Sequence, residues 1–467
     1  MNANDQKIKI HTLSVRLFHW INALAILVMI TSGWQIYNAS PIFDAIGFPS
    51  SLALGGWLGG GIQWHFAAMW VFVINFAIYL LIGIFGGRFK MALFPVSPRS
   101  VLTDLGKALR GRLPHDVGRY NAVQKISYLG VFALFILVIL SGLSIWKSVQ
   151  FAWLASLFGG YDGARVVHFF CMALICAFVV MHLALVLIVP STFIPMITGW
   201  AKKQNTSMEK IMLLKHKAAP VMLERTKSIL NIERRLFMKQ TLSLGALSLL
   251  TGCDFASTTD EPNAADRILA AMSKWNDSAQ AALFDPTKLA PEFSEADIKD
   301  PFPFNAYYGE DEVRIVDGAT WKLELSGMIA KKDAWTLDQL KALPQKNQIT
   351  RHICVEGWSA IGKWGGSSLG DFLRMVGADT TAKYVGFKCA DDYHTSIDMA
   401  TALHPQSIIA TTFRDQPLPP KYGFPIKIRI PTKLGFKNPK YVMEMFVTND
   451  YPGGYWEDQG YNWFSGA

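Results

Sequence analysis

The chain has 467 residues, which is enough for two or three domains. Hydrophobic residues make up 51% of it and charged residues only 17%, a balance that suits a protein partly in lipid and argues against a fully soluble one. The net charge of +9 conceals a division, because residues 1–253 carry 23 Lys and Arg against 8 Asp and Glu, whereas residues 254–467 carry 22 against 28. A basic half followed by an acidic half indicates two compartments, and no nucleic-acid partner is expected.

Four apolar segments are long enough to span a bilayer, which takes about 20 residues. They cover roughly residues 17–37, 62–86, 123–146 and 166–190. The connection at 38–64 has no Lys or Arg, the connection at 86–121 has seven, and residues 201–239 have ten. Because basic loops stay on the cytoplasmic side, both ends of this four-helix unit are predicted to face the cytoplasm.

A fifth apolar stretch, at residues 241–252, is short for a membrane span and resembles the apolar core of an export signal. It follows Arg234 and Arg235 in a segment that resembles a twin-arginine signal. An ordinary fifth anchor helix is the alternative. The stretch ends at Cys253 in a sequence similar to a lipoprotein processing site, and lipidation and cleavage at this cysteine stay open.

The composition changes along the chain, and four regions are predicted from it. Residues 1–200 form an all-α four-helix membrane bundle, and residues 201–253 form a basic linker that contains the export-like signal. Residues 254–300 form a polar linker with a helix near 263–283. Residues 301–467 are rich in Gly, Pro, β-branched and aromatic residues, which predicts a strand-rich α+β domain.

Four histidines lie in the predicted spans, where an ionisable residue is costly and is a candidate for function: His19, His65, His168 and His182. His168 and His182 are 14 residues apart on the fourth helix. That spacing places them about 21 Å apart along the axis and about 40° apart around it, so they share one face. One helix therefore presents two imidazoles at different membrane depths.

The direction of each helix predicts how the histidines pair. His65 and His168 are expected near the outer side, and His19 and His182 near the cytoplasmic side. Each pair could hold one haem iron from both sides, because neutral imidazole is a common axial ligand. The alternative is that each histidine only satisfies a hydrogen bond between helices.

Two arginines and two glycines accompany these histidines. Arg16 and Arg165 could pair with haem propionates or anchor the helices at the interface. Gly33 and Gly142 could permit close approach of a haem or serve helix packing.

The segment Arg16–Trp20, together with His65 and the spacing of His168 and His182, resembles the cytochrome b subunits of formate dehydrogenases, nickel–iron hydrogenases and thiosulfate reductases. The resemblance covers roughly residues 10–200. It implies that the four histidines ligate two b haems and that quinone reacts near one of them, with the cytoplasmic-side pair as the expected neighbour.

The five cysteines include no C-x-x-C pair, so a zinc or iron–sulfur site held by cysteines is not expected. Cys354 follows Arg351 and His352 in a Gly/Trp-rich segment. These positive neighbours are predicted to lower the pKa of the thiol and favour the metal-binding thiolate. A buried core thiol is the alternative. The basic, Gly/Pro-rich segment 421–440 could bind a phosphate.

These blocks resemble the sulfite oxidase-type molybdopterin family over roughly residues 265–467, most closely the bacterial periplasmic branch with the methionine-sulfoxide reductase catalytic subunit. The resemblance implies that Cys354 binds molybdenum. It also implies a set of pterin-contacting residues: Asn305, Tyr308, Cys389, Tyr422, Lys427, Asn438 and Lys440. Three of these depart from the family pattern, because Cys389 stands for a threonine, Tyr422 for an asparagine or histidine, and Lys427 for an arginine.

Together these features predict a quinone-linked molybdoenzyme of the bacterial inner membrane with its C-terminal domain in the periplasm. Electrons would pass between the quinone pool, two b haems and a molybdenum cofactor that reduces an S-oxide or N-oxide, either a small molecule or a protein. The alternatives are a sulfite-type dehydrogenase, for which Arg351 and Arg414 are the candidate anion ligands, a metal-free electron conduit, and a haem-only ferric or oxygen reductase.

Overall fold

The computed structural model describes residues 7–110, 120–202 and 264–467. The predicted basic linker beyond residue 202, the export-like signal and Cys253 lie outside the described residues. The chain divides into two compact units. The first unit comprises Met1–Ile30, Ala67–Ile139 and Phe170–Ile268, and the second comprises Thr31–Phe66, Leu140–Phe169 and Leu269–Ala467.

The N-terminal part is helical, as predicted. Its helices are α1 (Leu13–Ala39), α2 (Leu58–Phe85), α3 (Arg88–Leu93), α4 (Pro98–Leu109), α5 (Ala122–Trp146), α6 (Ala152–Leu157), α7 (Gly160–Ile188) and α8 (Phe193–Thr198). Helices α1, α2, α5 and α7 are long and apolar enough to cross a membrane, which confirms the four predicted spans. Helices α1, α2 and α7 begin four to six residues before the predicted segments, because polar and glycine residues extend each helix beyond its apolar run.

Polar contacts join the helices of the first unit. Strand β1 (Lys7–Lys9) pairs antiparallel with strand β2 (Trp200–Lys202). The Asn75 amide on α2 donates hydrogen bonds to the Phe18 carbonyl at 3.0 Å and to the Asn22 side-chain oxygen at 2.7 Å, both on α1. Each buried amide hydrogen thus finds an acceptor, which fixes the two helices against each other.

The C-terminal part contains helix α9 (Ala264–Leu283) and two five-stranded sheets, in agreement with the predicted α+β class. The further elements are β3 (Lys322–Gly327), β4 (Trp335–Thr336), α10 (Leu337–Lys341), β5 (Gln345–Ile353), β6 (Ser359–Ser368), α11 (Leu369–Met375), β7 (Tyr384–Cys389), β8 (His394–Asp398), α12 (Met399–Ala402), β9 (Ile408–Phe413), β10 (Gln416–Pro417), β11 (Lys427–Arg429) and β12 (Val442–Thr448). One sheet has the order β10-β9-β6-β5 with β11 also paired to β9, and the other has the order β4-β3-β12-β7-β8.

Two apolar clusters are buried in this part of the chain. Leu323, Val385, Phe387 and Met445 lie fully buried in the larger cluster, where residues of β3, β7 and β12 alternate between the core and the outer face. A smaller aromatic cluster surrounds Trp364. The hairpin of β5 and β6 connects this cluster to Cys354, because Trp364 lies on β6 and Cys354 lies in the turn between the two strands.

Candidate functional site

Cys354 occupies a tight turn at the end of a long β-hairpin. Ile353 and Ser359 form the last pair of β5 and β6. Within the turn, the Gly357 N–H donates to the Cys354 carbonyl at 3.0 Å, and the Cys354 N–H donates to the Trp358 carbonyl at 2.9 Å. Gly357 has a φ of 106°, which residues with a side chain rarely adopt. The turn thus holds the thiol in a defined place, where it lines a cavity.

The structure brings five of the predicted site residues to this one cavity: Cys354, Asn305, Lys427, Asn438 and Lys440. Four other lining residues, which the sequence motifs did not single out, are Tyr307, Asp391, Trp456 and Tyr461. They come from loops far apart in the chain, so no local pattern could have grouped them.

The other three predicted pterin contacts do not line the cavity. The Tyr308 hydroxyl donates to an Asp391 carboxylate oxygen at 2.8 Å. Tyr308 therefore contacts a residue that lines the cavity but does not line the cavity itself. Cys389 is buried at the end of β7 and lines a different cavity. The Tyr422 hydroxyl donates to the Phe302 carbonyl at 2.6 Å. Their roles as pterin contacts stay predictions.

Three buried cations lie at this site. Lys427 and Lys440 line the cavity and are 4% and 8% exposed, and Arg429, on the same strand as Lys427, does not line it and is 0% exposed. The Arg429 guanidinium donates to the Arg351 carbonyl at 2.7 Å and to the Asn438 side-chain oxygen at 3.0 Å. Its Nε has no hydrogen-bond partner among the described residues. Motif reasoning missed Arg429, although it stands two residues after Lys427 on β11 and therefore on the same face.

Burial lowers the pKa values of all three cations, and the Asp391 carboxylate, which also lines the cavity, offsets this only in part at Lys440. Burial lowers the pKa of Lys440 to about 8 and that of Arg429 to about 9. Burial, reinforced by the charges of Lys440 and Arg429, lowers the pKa of Lys427 well below its usual range. An anion among them would favour the charged forms, and phosphate suits such a cluster. The cavity therefore fits the phosphate of a pterin cofactor beside the Cys354 thiol.

The predicted lowering of the Cys354 pKa by its neighbours is wrong. Burial, and next the Glu356 carboxylate 3.7 Å from the sulfur, raise the pKa of this thiol. Arg351 turns away and donates to Asp162 at 2.6 Å. His352 is neutral, because burial and the neighbouring cations lower its pKa well below the usual range. The positive charge needed for a thiolate would thus have to come from a bound metal ion.

The Cys354 turn is bonded to the first turn of α7, in the same unit. The Tyr161 hydroxyl donates to the Gly357 carbonyl at 3.0 Å. Asp162 accepts from Arg351 and, at 3.0 Å, from the Ser359 hydroxyl. The helix that carries His168 therefore also supports the turn that carries Cys354.

Arg165 also lies at this junction. A β-carbon added at Gly357 would be 3.5 Å from the Arg165 guanidinium, which donates to the Ser40 carbonyl at 2.7 Å. The predicted alternatives for this arginine, a propionate partner or an interfacial anchor, did not include this contact. Arg414, the other candidate anion ligand, pairs with Asp300 at 2.9 Å and does not line the cavity.

His65 and His168, the pair predicted near the outer side (the outer pair), have matching surroundings within the second unit. The Ser32 hydroxyl lies 3.2 Å from His65 Nδ1, and the Ser141 hydroxyl lies 3.1 Å from His168 Nδ1. Each serine is followed by a glycine. A β-carbon added at Gly33 would be 3.5 Å from His65 Cε1, and one added at Gly142 would be 3.1 Å from His168 Cε1. Gly33 and Gly142 thus face the imidazoles themselves.

The inner histidines face each other in the first unit. The ring centres of His19 and His182 are 6.2 Å apart, and the ring planes are inclined by 52°. Two imidazole–metal bonds of about 2 Å each, together with the distance from each ring centre to its nitrogen, account for such a separation. The pair therefore fits one metal ion between the rings. Arg16, predicted to bind a propionate or the interface, donates to the Ile197 carbonyl.

Comparison with known proteins identifies both parts of the chain. A family model described as prokaryotic cytochrome b561 matches residues 10–199, and one described as oxidoreductase molybdopterin binding domain matches residues 310–456. These matches confirm the two resemblances inferred from the sequence motifs.

Individual relatives fall into the same two groups. The protein named "Putative protein-methionine-sulfoxide reductase subunit YedZ1" from Azospira oryzae is 63% identical over 234 residues, which cover 50% of this chain and 88% of that protein. The protein-methionine-sulfoxide reductase catalytic subunit MsrP of Xanthomonas campestris is 31% identical over 154 residues, which cover 30% of this chain and 48% of that protein. The sulfane dehydrogenase SoxCD of Paracoccus pantotrophus matches with a TM-score of 0.28 at 15% identity over 30% of this chain and 40% of that chain, which supports no conclusion.

Proposed function

The chain belongs to the family of YedZ1, and from this membership and the molybdopterin-binding domain in the same chain we propose that it is a quinone-linked membrane molybdoenzyme that reduces an S-oxide or N-oxide. The observation that carries this proposal is the hydrogen-bonded contact between the Cys354 turn and the helix that bears His168. An oxygen-atom-transfer site and an electron-transfer helix thereby share one compact unit.

Each proposed cofactor has a set of residues that would hold it. Cys354 would ligate molybdenum, and Lys427 and Lys440, which line the cavity, would bind the pterin phosphate. Arg429 would support them by holding Asn438, another lining residue. Two b haems would be held by the outer pair, His65 with His168, and the inner pair, His19 with His182. When bound, the molybdenum cofactor supplies two-electron oxygen-atom transfer, and the haems supply one-electron exchange with quinone.

The residues of the chain have the task of binding, orientation and exclusion of water. Tyr307, Trp456 and Tyr461 supply aromatic surface around the Cys354 thiol. Tyr161 and Asp162 hold the Cys354 turn against α7. Electrons would then pass between the haem and molybdenum sites within one chain.

The site favours a reductase over a sulfite-type dehydrogenase. Arg351 and Arg414, the proposed ligands for anionic sulfite, pair with Asp162 and Asp300 and do not line the cavity. MsrP, a relative of this chain, is named for protein-methionine-sulfoxide reduction, and the alignment spans 48% of its length. We therefore propose methionine sulfoxide, free or in a protein, as the first substrate to test.

The proposed location is the bacterial inner membrane with the C-terminal domain in the periplasm. Four helices of the described residues can span a membrane, and the matched cytochrome b561 model makes the chain an integral membrane protein. The distribution of Lys and Arg among the connections supports a cytoplasmic position for the loop at 86–121. A reporter fusion at the C-terminus that is active only in the periplasm would test this orientation.

Anaerobic reoxidation of the dithionite-reduced protein tests the reaction. A panel of S-oxides and N-oxides, including methionine sulfoxide, is mixed with reduced haem, and the b-type absorption is followed. We expect rapid reoxidation by at least one S-oxide, which Cys354→Ala should abolish while its haem spectrum stays intact. Reduction of oxidised haem by sulfite, with no response to any oxide, would instead establish the dehydrogenase.

Metal analysis separates the enzyme from the metal-free electron conduit. About one molybdenum per chain is expected in the purified protein and almost none in Cys354→Ala. Absence of molybdenum from the wild type produced with an intact cofactor pathway would contradict the proposal, as would carbon monoxide binding to reduced haem, because it indicates an open iron position.

A further inference from the structure

We propose that Ser32 and Ser141 are positioning residues for His65 and His168, and that their hydroxyls lower the reduction potential of the haem that this pair would hold. The inference rests on the proposed haem ligation. It goes beyond that ligation because it assigns different electronic surroundings to the outer and inner pairs.

The same dipeptide occurs at both places. Ser32-Gly33 lies on α1 and faces His65 of α2, and Ser141-Gly142 lies on α5 and faces His168 of α7. Both serines are fully buried, and their hydroxyls lie 3.2 Å and 3.1 Å from the Nδ1 atoms. Two helices thus present the same pair of residues to two imidazoles.

The two members of each dipeptide act on different parts of the ring. The serine meets the Nδ1 edge, whereas the glycine lies against Cε1, where an added β-carbon would be 3.5 Å away at Gly33 and 3.1 Å away at Gly142. A β-carbon at Gly142 would approach His168 Cε1 more closely than an ordinary van der Waals contact. The glycine therefore leaves room for the imidazole in this orientation.

Ligation determines the direction of the hydrogen bond. An imidazole that binds iron through Nε2 carries its hydrogen on Nδ1, and this N–H must donate. The serine oxygen then accepts. Such a hydrogen bond fixes the ring and raises the basicity of the ligand, and a more basic ligand stabilises ferric over ferrous iron. The reduction potential therefore falls.

The inner pair lacks this arrangement at one of its ligands. His19 Nδ1 is buried and has no hydrogen-bond partner among the residues that the structure describes. A ring without an acceptor at Nδ1 is the less basic ligand. We therefore assign the lower potential to the outer haem and the higher potential to the inner haem.

The test is a redox titration of the full chain in detergent, followed by optical and electron paramagnetic resonance spectra. We expect Ser32→Ala and Ser141→Ala each to raise the potential of one b haem by up to about 59 mV, a tenfold change in a one-electron equilibrium. The second haem should keep its potential. The double variant should shift the same component further.

Ser144→Ala is the matched control. Ser144 is also fully buried on α5, and its hydroxyl donates to the Leu140 carbonyl at 2.9 Å rather than to a histidine. Its removal should leave both potentials unchanged. Ser141→Thr keeps a hydroxyl at the position, and we expect a potential closer to that of the wild type than Ser141→Ala shows.

The outcomes distinguish this inference from the proposed function. Unchanged potentials in Ser32→Ala and Ser141→Ala, with full haem content, would overturn the role of the hydroxyls and leave ligation intact. Loss of haem from both Ser141→Ala and Ser141→Thr would overturn it too, because the hydroxyl would then not be the deciding group. Retention of both haems in His65→Ala and His168→Ala would refute the ligation itself.

Discussion

The hydroxyl of Tyr161 donates a hydrogen bond of 3.0 Å to the backbone carbonyl of Gly357. Tyr161 lies in the first turn of α7, about two turns before His168. Gly357 lies in the turn that carries Cys354. One side chain therefore connects the helix of a proposed haem ligand to the turn of the proposed molybdenum ligand.

Tyr161→Phe removes only the hydroxyl. Loss of one hydrogen bond costs about 1 kcal/mol, which corresponds to about a fivefold change in a two-state population. We expect haem reoxidation by an S-oxide to slow by about this factor in stopped-flow measurements. Turnover with a viologen donor that reduces the molybdenum domain directly should stay close to that of the wild type.

Tyr37→Phe is the control for this change, because the Tyr37 hydroxyl also donates to a backbone carbonyl, that of Phe43 at 3.3 Å, but does not contact the Cys354 turn. Equal slowing in both variants, or none in Tyr161→Phe, would show that the contact does not support electron transfer.

Lys427→Met should release the pterin cofactor. Hydrogen bonds to charged groups contribute about 1.5–3 kcal/mol, so the variant should bind the cofactor about 10- to 100-fold more weakly. Lys427→Arg should retain it, since guanidinium also binds phosphate. The measurements are molybdenum per chain and pterin fluorescence after acid release. Lys421→Met is the control. It removes the charge of a surface lysine that is paired with Glu310, and the cofactor content should not change.

The lowered pKa of Lys440 predicts that the stability of the cofactor-free protein depends on pH. Burial lowers its pKa from 10.5 to about 8, so the unfolded chain binds more protons than the folded chain between these values. Stability should therefore rise as pH increases from about 8 to 10.5, by up to about 3 kcal/mol. Thermal unfolding of protein from cells without the cofactor pathway measures this gain.

Two comparisons test the assignment of that pH dependence to Lys440. Lys440→Met should reduce the dependence, because it removes one of the titrating lysines, while Lys433, whose pKa burial also lowers to about 8, keeps its contribution. The cofactor-loaded protein should also show a flatter profile, since a bound phosphate favours the charged lysine. An identical slope in all three samples would exclude Lys440 as its source.

Lys147→Met should destabilise the second unit. Lys147 is 1% exposed and donates to the Gln280 side-chain oxygen at 2.8 Å and to the Gly466 carbonyl at 2.6 Å. Buried acceptors that lose their donor cost about 1–3 kcal/mol each. We expect a lower unfolding midpoint for the C-terminal domain. Lys125→Met, which removes a partly exposed lysine of α5 that is bonded to the Pro95 carbonyl, should have little effect.

The membrane helices can be predicted without a structure, because a run of apolar residues long enough to cross a bilayer is a local property. The sequence also placed His168 and His182 on one face, since helical periodicity depends only on spacing. The strand-rich class of residues 301–467 followed from composition in the same way. These features need no knowledge of which segments touch.

The surroundings of these residues depend on how distant segments pack, and the sequence does not show them. The Cys354 thiol has a raised pKa because folding buries it beside Glu356 and turns Arg351 towards Asp162, whereas the sequence neighbours suggested the opposite. Arg429 became part of the site because its strand lies behind the Cys354 cavity. Burial, charge proximity and the contact of Tyr161 with Gly357 depend on segments distant in the chain, and local patterns carry no information about them.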